Sequence, residues 1–260
     1  MMKWIVLFFL FPFCANAQFQ KIKSFEVKEN IAAASVDRPG ELYLGLTSGS
    51  IHKYSVDGML LASSTHKSLS TVFDPHDGAR LFTYTRATQS YQFLNPMLEE
   101  VLTAKIDQAF AIAPYLVSTF GDQSLVLIDS ADWSIKKVNL RSSTVTMEAS
   151  LQSFISKKSK IVSIREYQNF IFLLDQNKGI VVLNSIGKLI KVIEVKGLSY
   201  FNFLGEELYY IQDGKLKFID LFTTETRALV LPEPCEIALI TDERLYLIKK
   251  NQVSVFYLKP

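Results

Sequence analysis

The residues best able to do chemistry are few and scattered. The histidines are His52, His66 and His76, and no two stand at a metal-ligand spacing such as His-x-x-x-His. Asp74, His76 and Asp77 crowd together. Asp-Pro and Asp-Gly start and close tight turns, however, so turn chemistry accounts for them without a metal. Cys14 and Cys235 are the only thiols. The chain has no Gly-x-Ser-x-Gly elbow, glycine-rich phosphate loop, Cys-x-x-Cys or His-Glu-x-x-His. The usual signatures of serine hydrolases, nucleotide enzymes, dithiol redox proteins and zinc peptidases are therefore missing. Asp107 and Glu166 would pair as acid and base only if folding brought them within about 10 Å of each other. The reading is no catalytic residue, no metal and no cofactor.

The first seventeen residues have the layout of a secretory signal peptide. Lys3 is the positive start, Trp4 to Phe13 the apolar stretch, and Ala15-Asn16-Ala17 the small-x-small exit. As a helix that stretch spans about 15 Å, half of a bilayer core, which argues against a retained anchor. A lipoprotein signal on Cys14 meets the bulky Phe11-Pro12-Phe13 before it. Cleavage after Ala17 leaves 260 − 17 = 243 residues with a charge of 27 − 26 = +1. A near-neutral chain lacks the basic footprint of a nucleic-acid binder. Cys235 remains alone, so no internal disulfide forms. No later stretch is long and apolar enough to span a membrane.

The elements that must position any site repeat along the chain. Short apolar runs recur as ELYLGL (41–46), RLFTYT (80–85), YLVSTF (115–120), NFIFLL (169–174), ELYYIQ (207–212) and RLYLIK (244–249). Their starts are 39, 35, 54, 38 and 37 residues apart. Each is read as the second strand of a unit. In the first unit, AAASVD, ELYLGL, SIHKYS and MLLAS are separated by Arg38-Pro39-Gly40, Ser48-Gly49 and Asp57-Gly58, which are turn chemistries. Four short strands in about 40 residues describe one blade of a β-propeller. The sixth unit lacks a fourth strand, and QKIKSFEV (20–27) is the candidate to supply it. Pairing the ends removes an open sheet edge. The predicted fold is all-β: a six-bladed propeller of four-stranded antiparallel blades over 18–260, its last blade closed by the N-terminal strand.

Two stretches resemble known repeats. DRPGELYLGLTSGSIHKYSVDG (37–58) is similar to the repeat of NHL-like six-bladed propellers, and FDPHDGARLFTY (73–84) resembles the turn of TolB-type repeats, with His76 inserted. The resemblance covers the whole exported chain as architecture and about two blades as motif. Propellers host many unrelated activities, so it speaks for fold and not for function.

The long third interval predicts an insertion. With WSIKKVNL (133–140) read as an outer strand, residues 141–158 project over the face that carries the blade-to-blade connections. Met147, Leu151, Phe154 and Ile155 have helical spacing, which predicts a short amphipathic helix. His66 and Lys67 fall in another connection on that face. Export, a closed ring, one decorated face and no catalytic set predict a non-catalytic module. It binds a protein or cell-envelope component through His66, Lys67, Met147, Leu151, Phe154, Lys157 and Lys158, in a bacterial periplasm or docked at the outer membrane. The rival from another class is a periplasmic calcium-dependent hydrolase of the lactonase type. Its channel calcium needs about six to eight oxygen ligands, and the inner strands offer Asn202 and Glu236, with Asp107 and Glu166 near strand ends. A third reading is a spacer ring that docks through Lys136, Lys137, Lys188 and Lys191 on outer strands.

Overall fold

A computed structural model describes residues 19–64, 69–75, 77–121 and 123–259. The predicted signal peptide, His66, Lys67 and His76 lie outside the described residues. The chain opens with β1 (Phe19–Glu26) and then builds blade 1 from β2 (Ile31–Val36), β3 (Leu42–Leu46), β4 (Ile51–Tyr54) and β5 (Leu60–Ser64). Blade 2 is β6 (Val72–Asp74), β7 (Leu81–Thr85), β8 (Ser90–Leu94) and β9 (Glu100–Lys105). Blade 3 is β10 (Pro114–Phe120), β11 (Ser124–Asp129), β12 (Ser134–Asn139) and β13 (Thr144–Ser150). Blade 4 is β14 (Ile161–Tyr167), β15 (Phe170–Asp175), β16 (Gly179–Leu183) and β17 (Leu189–Ile193). Blade 5 is β18 (Asn202–Leu204), β19 (Glu207–Gln212), β20 (Lys215–Asp220) and β21 (Thr226–Val230). Blade 6 is β22 (Ile237–Ile240), β23 (Arg244–Lys249) and β24 (Gln252–Leu258), with β1 as its outer strand.

The result is the predicted ring of six four-stranded antiparallel sheets, closed by its own N-terminal strand. Phe19 pairs with Leu258 and Phe25 with Val253, and the register slips once between Lys21 and Lys23. Ser24 and Ser254 face each other, their hydroxyls 3.1 Å apart.

The core lies between blades. β15 shows why: Ile171 and Leu173 pack toward blade 3, while Phe172 and Leu174 pack toward blade 5. Alternation sends successive side chains to opposite faces, and both faces of a blade are covered. Second strands therefore read as unbroken apolar runs. Six such clusters join successive blades around the ring. Each fully buried side chain of this kind contributes about 1.5–3 kcal/mol.

The turn between third and fourth strands has a signature that the sequence reading missed. Asn95 Oδ1 accepts from Met97 and Glu99 amides, and Asn184 Oδ1 from those of Ile186 and Lys188. Asp220 Oδ1 does the same for Phe222 and Thr223. A left-handed residue follows, Leu98 at φ 64° or Gly187 at φ 76°. Glycine is required at Gly187, where an added Cβ would stand 2.7 Å from Ala149 Cβ of the preceding blade.

Blade 3 corrects the sequence reading. Residues 115–120 belong to its inner strand, not its second, and 133–140 contain its third strand, not its outer one. There is no 18-residue insertion and no helix in 141–158: Thr144–Ser150 is the outer strand, and Val138 and Asn139 pair with Val145 and Thr144. The apolar residues Met147, Ala149 and Leu151 also satisfy a period of two, and β-branched Thr144, Val145 and Thr146 favour strand. The free edge of β12 decides between the periods, since only a strand fills it. Second strands now start at Leu42, Leu81, Ser124, Phe170, Glu207 and Arg244. The third interval is then 46 residues (170 − 124), and the period evens out.

Candidate functional site: the central channel and the linking face

Inner strands β2, β6, β10, β14, β18 and β22 surround the channel. Its two mouths differ in chain chemistry. One, the hairpin face, collects the turns between first and second strands. The other, the linking face, collects the blade-to-blade connections and the turns between second and third strands.

Arg165 divides the channel. It lines a cavity of about 570 Å³ on the hairpin face and another of about 380 Å³ on the linking face. Within β14, IVSIREY, it is the single cation of a largely apolar inner strand, a signal that sequence reading passed over. Arg165 Nη1 donates to Asn202 Oδ1 of blade 5 at 2.5 Å, and Nη2 stands 3.8 Å from Asp74 Oδ1 of blade 2. The guanidinium also lies 5.5 Å from the centre of the Phe203 ring. Three blades thus meet on one side chain. Its positive charge occupies the middle of the channel, the opposite of what a channel calcium needs.

The hairpin-face cavity is lined by Asp37, Arg38, Glu166 and Asp242 around Arg165. Burial pushes the Asp37 carboxyl above its ordinary value, against hydrogen bonds from the Glu41 amide and the Tyr43 hydroxyl. Burial does the same to Glu166, against the Asn169 amide that donates to it at 2.8 Å. Asp107 precedes β10 and Glu166 ends β14, so the two sit at opposite mouths and form no acid–base pair. Glu236 is exposed on the linking face, where its Oε2 accepts from the Lys250 amide at 3.3 Å. His52 is half-buried on β4, its Nδ1 3.3 Å from the Tyr54 hydroxyl, and burial lowers its pKa. Among the described residues no group of three His, Cys, Asp or Glu side chains is placed to hold a metal ion. No described helix is long and apolar enough to cross a membrane.

The predicted docking residues are brought only partly together. Met147 lies on the outer strand of blade 3, with its sulfur near Gly187 of blade 4. Leu151 is buried in the cluster between blades 3 and 4, and Phe154 packs against it. The connection 151–160 is pinned: Trp133 Nε1 donates to Ile155 O at 2.8 Å and Lys178 Nζ to Phe154 O at 2.6 Å. Lys157 and Lys158 are exposed on this connection. Lys136 is on a third strand and buried, bound to Asp129 at 3.1 Å and Asp132 at 2.9 Å, so it is no outer-surface contact.

Blades are also clasped by tyrosines of second strands. Tyr84 donates to Pro114 O of blade 3 at 2.6 Å. Tyr246 donates toward Gly40 O at 2.9 Å and Val56 O at 3.0 Å, both in blade 1. Tyr209 accepts from the Ile240 amide of blade 6 at 3.2 Å. Burial raises the Tyr84 and Tyr209 hydroxyls to about 12, so they stay protonated.

No family model matches the chain, and no curated protein matches it. Solved structures do. BamB from Moraxella catarrhalis is 10% identical, with a TM-score of 0.51, covering 93% of this chain and 98% of that one. The β-propeller domain of Myceliophteria thermophila Cps50 (Swd1) is also 10% identical, with a TM-score of 0.61 and coverage of 93% and 100%. Streptogramin B lyase is 11% identical, with a TM-score of 0.58 and coverage of 93% and 88%. At such identities the shared property is the fold: this chain is similar to these proteins as a β-propeller.

Proposed function

We propose that the chain is an exported, non-catalytic binding ring that holds a protein or cell-envelope component against its linking face. The observation that carries this reading is the connection between blades 3 and 4. Its apolar residues are sunk between the blades and two of its carbonyls are fixed by Trp133 and Lys178, so Lys157 and Lys158 ride on a preorganised ledge. BamB is another propeller of this fold. The calcium-dependent hydrolase fares worse, because Arg165 holds the channel midpoint.

A photo-crosslinker at Lys157, compared with one at Asp242 on the hairpin face, tests the reading in envelope preparations. A discrete adduct at Lys157 and none at Asp242 is expected. Adducts confined to Asp242, or the same at both positions, overturn the assignment of the face. Export is tested separately by N-terminal sequencing: Gln18 is the expected first residue, and a retained Met1 counts against it.

A further inference from the structure

The outer strands of the blades are the free edges of the ring, and a free edge invites pairing with another chain. Five of the six are interrupted. The register slips between Lys53 and Tyr54 opposite β5, between Phe93 and Leu94 opposite β9, and between Lys137 and Val138 opposite β13. It slips again between Val182 and Leu183 opposite β17, and between Lys21 and Lys23 in β1 itself. Each slip leaves an outer-strand residue unpaired as a bulge, which bends the strand and spoils it as a template. β21 of blade 5 has no slip: Thr226 to Val230 pair one for one with Ile219 to Lys215.

The ladder fixes which groups of β21 point outward. Asp220 N donates to Glu225 O at 2.9 Å, and Leu231 N to Gly214 O at 3.1 Å. Alternate residues of an antiparallel strand bond to the same neighbour, so Glu225, Arg227, Leu229 and Leu231 serve the β20 side. Thr226, Ala228 and Val230 turn their N–H and C=O groups outward, and all three are exposed. Arg227 is the one charge of β21 and does not guard the edge. Its guanidinium lies back across the blade, 3.7 Å from the centre of the Phe218 ring and bound to Glu207.

This edge is its own antiparallel complement. With a two-fold axis at Ala228, Thr226 meets Val230 of the other copy and Ala228 meets Ala228, and each pair exchanges both backbone bonds. Arg227 then stands opposite Leu229, so no like charges are directly opposed. We infer that the chain self-associates as a two-fold dimer through β21, joining two fifth blades into one continuous antiparallel sheet. The inference is independent of whether the ledge at Lys157 docks a partner.

Sedimentation of the intact protein over a range of concentrations tests it. One strand pair is a small interface, so a Kd of about 10–100 μM is expected. Ala228→Pro removes an outward donor and none of the blade's own bonds, and should weaken association about tenfold or more. Ala228→Glu and Ala228→Lys each set like charges against each other on the axis and should sediment as monomers. Mixed together, the two should recover a dimer, which a merely unfolded variant would not do. Thr103→Glu, exposed on the bulged β9, is the control and should leave association unchanged. A parent protein monomeric up to about 500 μM, association unchanged in Ala228→Pro, no recovery on mixing the charged variants, or an equal loss in Thr103→Glu overturns the inference.

Discussion

Arg165 and Asn202 belong to different blades, and the 2.5 Å bond between Nη1 and Oδ1 joins their inner strands across the channel wall. A bond to a charged group is worth about 1.5–3 kcal/mol. Arg165→Met and Asn202→Leu should each lower stability by about that amount in urea unfolding. The double variant should lose less than the sum, with a coupling of about 1–2 kcal/mol. Strict additivity would mean that the pair contributes no interaction of its own.

The closing strand can be locked. Ser24 and Ser254 place their hydroxyls 3.1 Å apart across β1 and β24. In a Cys235→Ser background, Ser24→Cys with Ser254→Cys should form a disulfide on mild oxidation. The cross-link closes a loop of more than 200 residues, for which chain entropy allows up to about 5 kcal/mol. A higher Tm that reverts with reductant is the expected readout. Failure to oxidise would show that the two strands are not held together in solution.

Tyr246 serves blade 1 from blade 6 by reaching two carbonyls. Tyr246→Phe keeps the packing and removes the one hydroxyl proton that the two carbonyls share, so it should cost about 1–3 kcal/mol. Tyr257→Phe, an exposed position on β24, is the control and should stay within about 0.5 kcal/mol. Hydrogen exchange should rise at the boundary of blades 6 and 1 in the first variant only.

Asp129 governs part of the acid limb. Burial raises its pKa, but the amides of Ala131, Ala113 and Ile112 and the Lys136 ammonium together hold it below the ordinary 3.8. A folded-state pKa below the unfolded one contributes stability in full above pH ~4, lost as pH falls through the folded value. Asp129→Asn should therefore destabilise by about 1–3 kcal/mol at pH 7 and flatten the loss of stability below pH ~4. An unchanged acid limb would remove Asp129 from this role.

Much of the ring was legible along the chain. Gly and Asp at the turns marked the hairpins, and the alternation in QKIKSFEV with the missing last strand pointed to closure. Blade 3 was misread for a physical reason. Its inner strand PYLVSTF is as apolar as a second strand, because in a ring both are covered on both faces, so composition does not rank them. Met147 and Leu151, four apart, fit a helical spacing and a strand period alike, and only the free edge of β12 separates the two. The tyrosine clasps went unseen because a Tyr inside an apolar run carries no local sign of a carbonyl waiting on the next blade.

The sequence by itself determined most of the strands and their approximate period, because these follow from interactions between near neighbours in the chain, and it pointed to the pairing of the two ends through the strand that the sixth unit lacks. Tertiary structure alone decided that Asp74, Arg165 and Asn202 meet. They come from blades 2, 4 and 5, and no local pattern relates them. Closing the ring turns their inner strands toward one axis, and the burial of six interblade clusters holds them there.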